Sequence, residues 1–263
     1  MTGLTLTALW IGFIGMVIGA VIFGSKAVAM RRKEGMEFPL KSFFVVLWAA
    51  TLYLTMILGE TVSQVHGETI FWGRYVDWVV TTPLLLLDLG VLAALRPKLI
   101  AGVMGADIFM ILTGLIATFE TRPTNYLWYT ISTGAFIAIL AALLTEFTNS
   151  AARRNFKINQ LFTTLRNVLI VLWIGYPIVW MLGHTALRVI STGTEVLLYT
   201  ILDLAAKVGF GFILTSAAPD VLAQASNSRV LSSIGTKNRV KKIKSVKITV
   251  CPCIYRLKRK KSA

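Results

Sequence analysis

Cysteine is nearly absent from this 263-residue chain: Cys251 and Cys253 are the only two, set close to the C-terminal end as Cys-Pro-Cys. That excludes a disulfide framework and a four-ligand zinc site within one chain, and no metal is expected. Palmitoylation is the modification that cysteines in a basic tail admit. Charge is scarce as well: at 15% charged and 56% hydrophobic residues, the chain is too apolar for an ordinary soluble domain. The alternating ten-residue pattern of a membrane barrel is missing, so membrane spans are expected to be helical. A basic stretch before the first apolar run is missing too, and that run exceeds the apolar core of a signal peptide. It is therefore read as a retained span.

What is present is a set of seven apolar windows, each long enough to cross a bilayer as a helix: Leu4–Met30, Phe38–Leu58, Ile70–Leu92, Leu99–Thr118, Asn125–Thr145, Leu161–Leu182 and Thr194–Ala217. The expected fold is an all-α seven-helix transmembrane bundle over residues 1–224, a multi-pass protein of the cell membrane, followed by a basic, flexible tail over 225–263. Basic residues gather after spans one, three and five (Arg31, Arg32, Lys33; Arg96, Lys98; Arg153, Arg154, Lys157) and in the tail. The opposite loops hold Glu60, His66, Glu68, Glu120, Arg122, His184 and Arg188. The positive-inside rule then puts the N-terminus outside and the C-terminus in the cytoplasm. The excess of fifteen positive charges comes largely from the tail, around Lys237–Lys247 and Arg256–Lys261. So placed, it points to anionic membrane lipid rather than nucleic acid.

Span three carries the chemistry. Asp77 and Asp88 stand eleven residues apart, close to three helical turns and roughly 16 Å of rise, so they share one face, with Thr81 one turn from Asp77. Ionised carboxylates in hydrocarbon cost several kcal/mol, so this stripe must face protein or a water path. Arg74, one turn before Asp77, is expected to keep that carboxylate ionised. Asp88, among leucines and Pro83, is expected to hold a proton. An anion in the outer half and a proton reservoir in the inner half of one helix suit a charge relay, against the plainer reading of two hydrogen-bonding acids.

The other spans add fewer features. Gly15, Gly19 and Gly24 allow close approach of span one to its neighbours. Tyr53 and Thr55 are candidates for the interior face of span two, although Tyr53 alone is better explained by a hydrogen bond to a neighbouring helix. Asp107 in span four reads as structural, with Thr82 a suitable hydroxyl partner. Span five offers Tyr129, Ser132 and Thr133. Span six sets Trp173, Tyr176 and Trp180 on one stripe beside Pro177, which serves packing or makes a slot for a flat apolar ligand. Lys207, near the middle of span seven, is too deep to reach the surface. An ion pair with Asp203, one turn away, and an amine forming a Schiff base with a carbonyl compound are both open.

Three stretches carry a resemblance: Arg-Tyr-Val-Asp-Trp-Val-Val-Thr-Thr-Pro-Leu-Leu-Leu-Leu-Asp in span three, Trp-Ile-Gly-Tyr-Pro-Ile-Val-Trp in span six and Leu-Asp-Leu-Ala-Ala-Lys-Val-Gly-Phe-Gly in span seven. With them the chain resembles the microbial rhodopsins, in particular the bacteriorhodopsin-type outward proton pumps, over nearly all of Leu4–Ala217. The resemblance implies all-trans retinal on Lys207 as a protonated Schiff base. It makes Asp77 the counterion and proton acceptor, Asp203 the second counterion and Asp88 the cytoplasmic donor. Trp78, Thr82, Met110, Gly114, Trp173, Tyr176, Pro177 and Trp180 match pocket positions, with Leu85 at a colour-setting position and Tyr53, Arg74 and Thr81 in the counterion surroundings. It also implies a light-driven ion transporter rather than an enzyme, working on protons in lipid as a homo-oligomer, a trimer in preference to a pentamer.

The chain also departs from that pattern. Of two glutamates at the family's proton-release site only the one matching Glu195 is present; the other position aligns with Thr185, beside His184. Tyr129 stands in place of a pocket tryptophan and Phe136 in place of a methionine, so colour does not transfer. The tail beyond about Asn227 lies outside the resemblance. A photosensor of the same fold is the competing reading, and Asp88 favours the pump. An anionic Asp77 argues against a chloride pump, and the absence of an Asn-Asp-Gln set at Asp77, Thr81 and Asp88 argues against a sodium pump.

Overall fold

The structure is a computed structural model, described here for residues 3–31 and 35–217. Seven helices are long and apolar enough to cross a membrane: α1 Gly3–Ala29, α2 Glu37–Leu58, α3 Gly73–Leu92, α4 Pro97–Phe119, α5 Thr124–Ala151, α6 Phe156–Leu182 and α7 Thr192–Ala217. Each follows an expected window, with corrections at the ends. Span three begins at Gly73 rather than Ile70, and spans five and six reach Ala151 and back to Phe156. Hydropathy finds the lipid-facing middle of a helix and stops at polar residues, yet Glu146, Asn149 and Lys157 continue the helical backbone past the bilayer core. Asn155 starts α6 by accepting the Ile158 N–H at 2.8 Å, which satisfies a donor the first turn leaves open.

Ile70 belongs instead to a hairpin that the sequence reading missed, β1 Ser63–Val65 paired antiparallel with β2 Glu68–Ile70. Val65 pairs with Glu68, so His66 and Gly67 make a two-residue turn with φ of 52° and 80°, the left-handed pair that a tight hairpin needs. Gly59 ends α2 at φ 84°, and the next N–H, from Glu60, reaches back to the Thr55 carbonyl at 2.9 Å. This closes the helix in a Schellman-type cap.

α3 is the central helix: 67% of its apolar window is buried, against 17% for α5. Apolar side chains such as Val21, Leu58, Ile137 and Val171 are exposed on the outside, where lipid takes the place of a protein partner. Gly15 and Gly19 face Leu204 and Val208 of α7, and Gly24 faces Phe43 of α2, so small residues bring α1 close to its neighbours as expected. Two π-helical turns interrupt the ladders, Leu143–Phe147 in α5 and Leu204–Gly209 in α7. The second contains Lys207. π turns are rare and recur at functional sites. The tail residues, Cys251 and Cys253 among them, lie outside the described residues, as do Arg32 and Lys33.

Candidate functional site

Lys207 is fully enclosed, with 2% of its surface exposed. Its Nζ donates to Asp77 Oδ2 of α3 at 2.6 Å and to Asp203 Oδ1 at 2.8 Å. A buried ammonium is tolerable only with close anionic partners, and here it has two. Asp203 is held from four directions: Oδ1 also accepts from Trp78 Nε1 at 3.0 Å and Tyr176 OH at 2.9 Å, and Oδ2 accepts from Tyr53 OH at 2.9 Å. Asp77 is bonded more sparsely. Its Oδ1 has no hydrogen-bond partner among the described residues, and Thr81 donates to its backbone carbonyl, at 2.9 Å, rather than to its carboxylate. Among the described residues the Asp203 carboxylate therefore holds four donors and the Asp77 carboxylate one.

Beside this cluster lies a cavity between α3, α4, α5, α6 and α7. Trp78, Thr82, Met110 and Gly114 line it from α3 and α4, and Trp173, Tyr176, Pro177 and Trp180 from α6. Tyr75, Ile111, Ser132, Thr133, Phe136 and Tyr199 complete the wall, with Tyr129, whose ring stacks on Trp180 at 4.5 Å and 14°. Trp78 and Tyr176 meet edge to face at 5.1 Å and both bind Asp203, so the apolar slot abuts the ion cluster that holds the Lys207 amine. A long, flat apolar molecule ending in a carbonyl fits such a slot. Tyr53 and Leu85 are buried but stand outside the cavity wall.

Three contacts here were missed from sequence. Tyr75 OH and Thr118 Oγ1 lie 2.5 Å apart, and Trp180 Nε1 donates to the same hydroxyl at 2.9 Å, fixing the α3, α4 and α6 walls to one another. Ser132 donates to the Met110 carbonyl at 2.8 Å. The available signal was the set of hydroxyls placed within apolar spans, where each must find a partner.

Arg74 corrects the sequence reading. It forms no ion pair with Asp77; its guanidinium lies over the Tyr199 and Phe71 rings, at 4.7 and 5.2 Å, and pairs with Glu195 Oε1 at 3.9 Å. Side chains on a helix lean toward its N-terminus, which directs Arg74 away from Asp77 and toward the start of α7. Glu195 Oε2 bonds His184 Nδ1 at 2.6 Å and accepts the His184 backbone N–H at 3.2 Å. Burial opposes the imidazolium, but the bond and charge of Glu195 outweigh it, and the His184 pKa is raised from its ordinary 6.5. Thr185, which stands at the missing glutamate's position, offers its carbonyl to Asn125 at 3.0 Å instead.

Midway along α3, Thr82 Oγ1 lies 2.6 Å from Asp107 Oδ2, the partner the sequence suggested. Asp88 is a second correction. It is buried, yet its surroundings are not leucines and Pro83 alone: Lys41 of α2 reaches it as an ion pair. The signal for Lys41 was a lysine inside an apolar window, since an ionisable residue at that depth needs a partner.

With the site in view, likeness to known proteins is extensive. The bacteriorhodopsin-like protein family matches residues 3–221. A cyanorhodopsin crystal structure from Tolypothrix sp. NIES-4075 is 77% identical, with a TM-score of 0.83 over 86% of this chain and 99% of that one. A bacteriorhodopsin from Haloterrigena sp. is 42% identical over 78% of this chain and 85% of its own. The structure of a light-driven proton pump from Leptosphaeria maculans is 30% identical, with a TM-score of 0.80 over 84% of this chain and 96% of that one. A family match along nearly all of the helical bundle leaves one conclusion: the chain belongs to the bacteriorhodopsin-like family, and is a microbial rhodopsin and multi-pass membrane protein.

Proposed function

We propose that this rhodopsin is a light-driven outward proton pump with all-trans retinal joined to Lys207 as a protonated Schiff base. The observation that carries the reading is the Lys207 amine at 2.6 Å from Asp77 Oδ2, beside a cavity lined by Trp78, Trp173, Tyr176 and Trp180. When bound there, retinal would supply light absorption and a change of shape. The fit is supported by the flat aromatic slot abutting a buried primary amine.

Asp77, with Oδ2 against Nζ, receives the proton. Asp203 stays in place as the second counterion, because Tyr53, Trp78 and Tyr176 donate to it. Arg74, Glu195 and His184 lead from there toward the loop before α7, and Glu195 with His184 stands where a proton leaves. Asp88, on the far side of Lys207 along α3, restores the proton to Nζ. The basic residues Arg31, Arg96, Lys98, Arg153 and Arg154 support an orientation with the Asp88 end in the cytoplasm, and in that orientation each cycle moves one proton outward. The kinship to a named light-driven proton pump supports the same reading. Illumination of cells expressing the protein with retinal is expected to acidify the medium, and a protonophore to abolish the change. Alkalinisation, or a response that survives the protonophore, would overturn the direction or the ion.

A further inference from the structure

Two cavities meet at the end of the bundle away from Asp88. The inner one is walled by buried side chains, among them Arg74, Tyr199 and Glu195. The outer one has Glu120, Arg122 and Arg188 along it, all exposed, so it opens to solvent. Ile70, Thr118, His184 and Thr185 line both cavities, and His184 is the one titratable side chain of the four. Glu195 lines the inner cavity and not the outer one. A proton on Glu195 Oε2 therefore has His184 Nδ1, 2.6 Å away, between it and the outside. The other ring nitrogen, Nε2, is buried with no hydrogen-bond partner among the described residues, and so is Asn125 Oδ1, whose residue also lines the outer cavity. Buried polar atoms are satisfied by protein or by water, and the outer cavity is where water reaches both. Burial and Arg74 oppose a proton on the ring, Glu195 and Glu68 favour one, and the balance raises the His184 pKa from 6.5. An imidazole in such surroundings exchanges its proton near neutral pH. Arg188 faces it too: its Nε donates to the His184 carbonyl at 3.2 Å, while its far end pairs with Glu68 at 3.0 Å.

We propose that His184 is the proton-release residue, the side chain that takes the outgoing proton from Glu195 and hands one to water in the outer cavity, an assignment that rests on the pump reading above. When the outgoing proton sits on Glu195, its O–H bond breaks as an N–H bond forms at His184 Nδ1. The N–H bond at Nε2 breaks as water takes that proton. The ring then turns about its side-chain bonds to meet the next proton with its bare nitrogen. One proton enters the ring for each that leaves, and nothing is oxidised or reduced. A glutamine in its place can hydrogen-bond Glu195 but has no nitrogen that titrates near neutrality.

The test uses full-length wild type, His184→Gln and His184→Gly in right-side-out vesicles, with a membrane-impermeant pH dye outside and a flash to start the cycle. Both variants are expected to keep the dark colour and the rate at which resting absorption is lost, since the transfer from Lys207 to Asp77 comes earlier. Acidification outside is expected to slow at least about tenfold in both. Added imidazole should restore it in His184→Gly in proportion to its concentration, as a diffusible substitute for the missing ring. Wild-type acidification rates in the variants would overturn the assignment. So would a slowing that imidazole leaves unchanged, because His184 would then only brace Glu195. Wild-type vesicles that fail to acidify the medium would sink the pump reading itself, whereas wild-type acidification with unslowed variants sinks only the role of His184.

Discussion

Lys207 Nζ lies nearer to Asp77 Oδ2, at 2.6 Å, than to Asp203 Oδ1, at 2.8 Å, although Asp203 belongs to its own helix. The acid on α3 is also the one with an oxygen that has no hydrogen-bond partner among the described residues. Asp203 already receives hydrogens from Tyr53, Trp78 and Tyr176 and has little capacity left, so the proton of Nζ has one good destination. The π turn that carries Lys207 sets the backbone from which the amine reaches both acids.

Replacing Lys207 with alanine should abolish visible absorption when all-trans retinal is added, because Lys207 is the only buried lysine among the described residues. A coloured, borohydride-reducible pigment in that variant would contradict the assignment. Asp77→Asn should leave pigment formation intact while shifting absorption to longer wavelength and stopping transport. Acid should produce the same shift in wild type by protonating the same group.

His184 provides a stability signal with a definite sign. Its pKa is raised in the folded protein, so the stability it contributes through Glu195 is fully present below the ordinary value of 6.5 and is lost as pH rises through the higher folded value. His184→Ala should therefore cost about 2 kcal/mol on the acid side, with the difference from wild type shrinking at alkaline pH. Thermal bleaching of the pigment at a series of pH values reads this directly.

The contact between α1 and α7 depends on the missing side chain of Gly15. A Cβ there would stand 2.5 Å from Leu204, at the start of the π turn. Gly15→Leu should destabilise the pigment by about 1–3 kcal/mol through overpacking, seen as a lowered bleaching temperature, while Gly3→Leu, with nothing near its Cβ, should not.

Removing the chain after Asn227 should leave colour and proton transport unchanged, because the site is built wholly from residues between Lys41 and Lys207. Correctly inserted, coloured protein that no longer transports would give the tail a mechanistic part.

The sequence revealed the seven helices because each buries or exposes a long apolar run, and it revealed Asp107 and Thr82 as partners because a hydroxyl and an acid at similar depth in neighbouring spans have few alternatives. It did not reveal the hairpin, whose three-residue strands are too short for a periodic signal, nor the π turn at Lys207, which leaves no mark in composition. The Lys41 and Asp88 pair and the turn of Arg74 toward Glu195 were missed for a common reason. Spacing along one helix shows which residues share a face, whereas partners on another helix depend on how two helices align. The cavity wall was legible chiefly through resemblance, since aromatics at helical spacing serve ordinary packing equally well.

The central claim is that light moves the proton of Lys207 Nζ onto Asp77. Time-resolved infrared difference spectroscopy measures this most directly, by following the carboxylic-acid C=O band as the visible absorption of the resting pigment disappears. The account predicts that a protonated-carboxyl band rises with that loss and is missing in Asp77→Asn. A band that persists in Asp77→Asn, or none in wild type while the medium still acidifies, would contradict it.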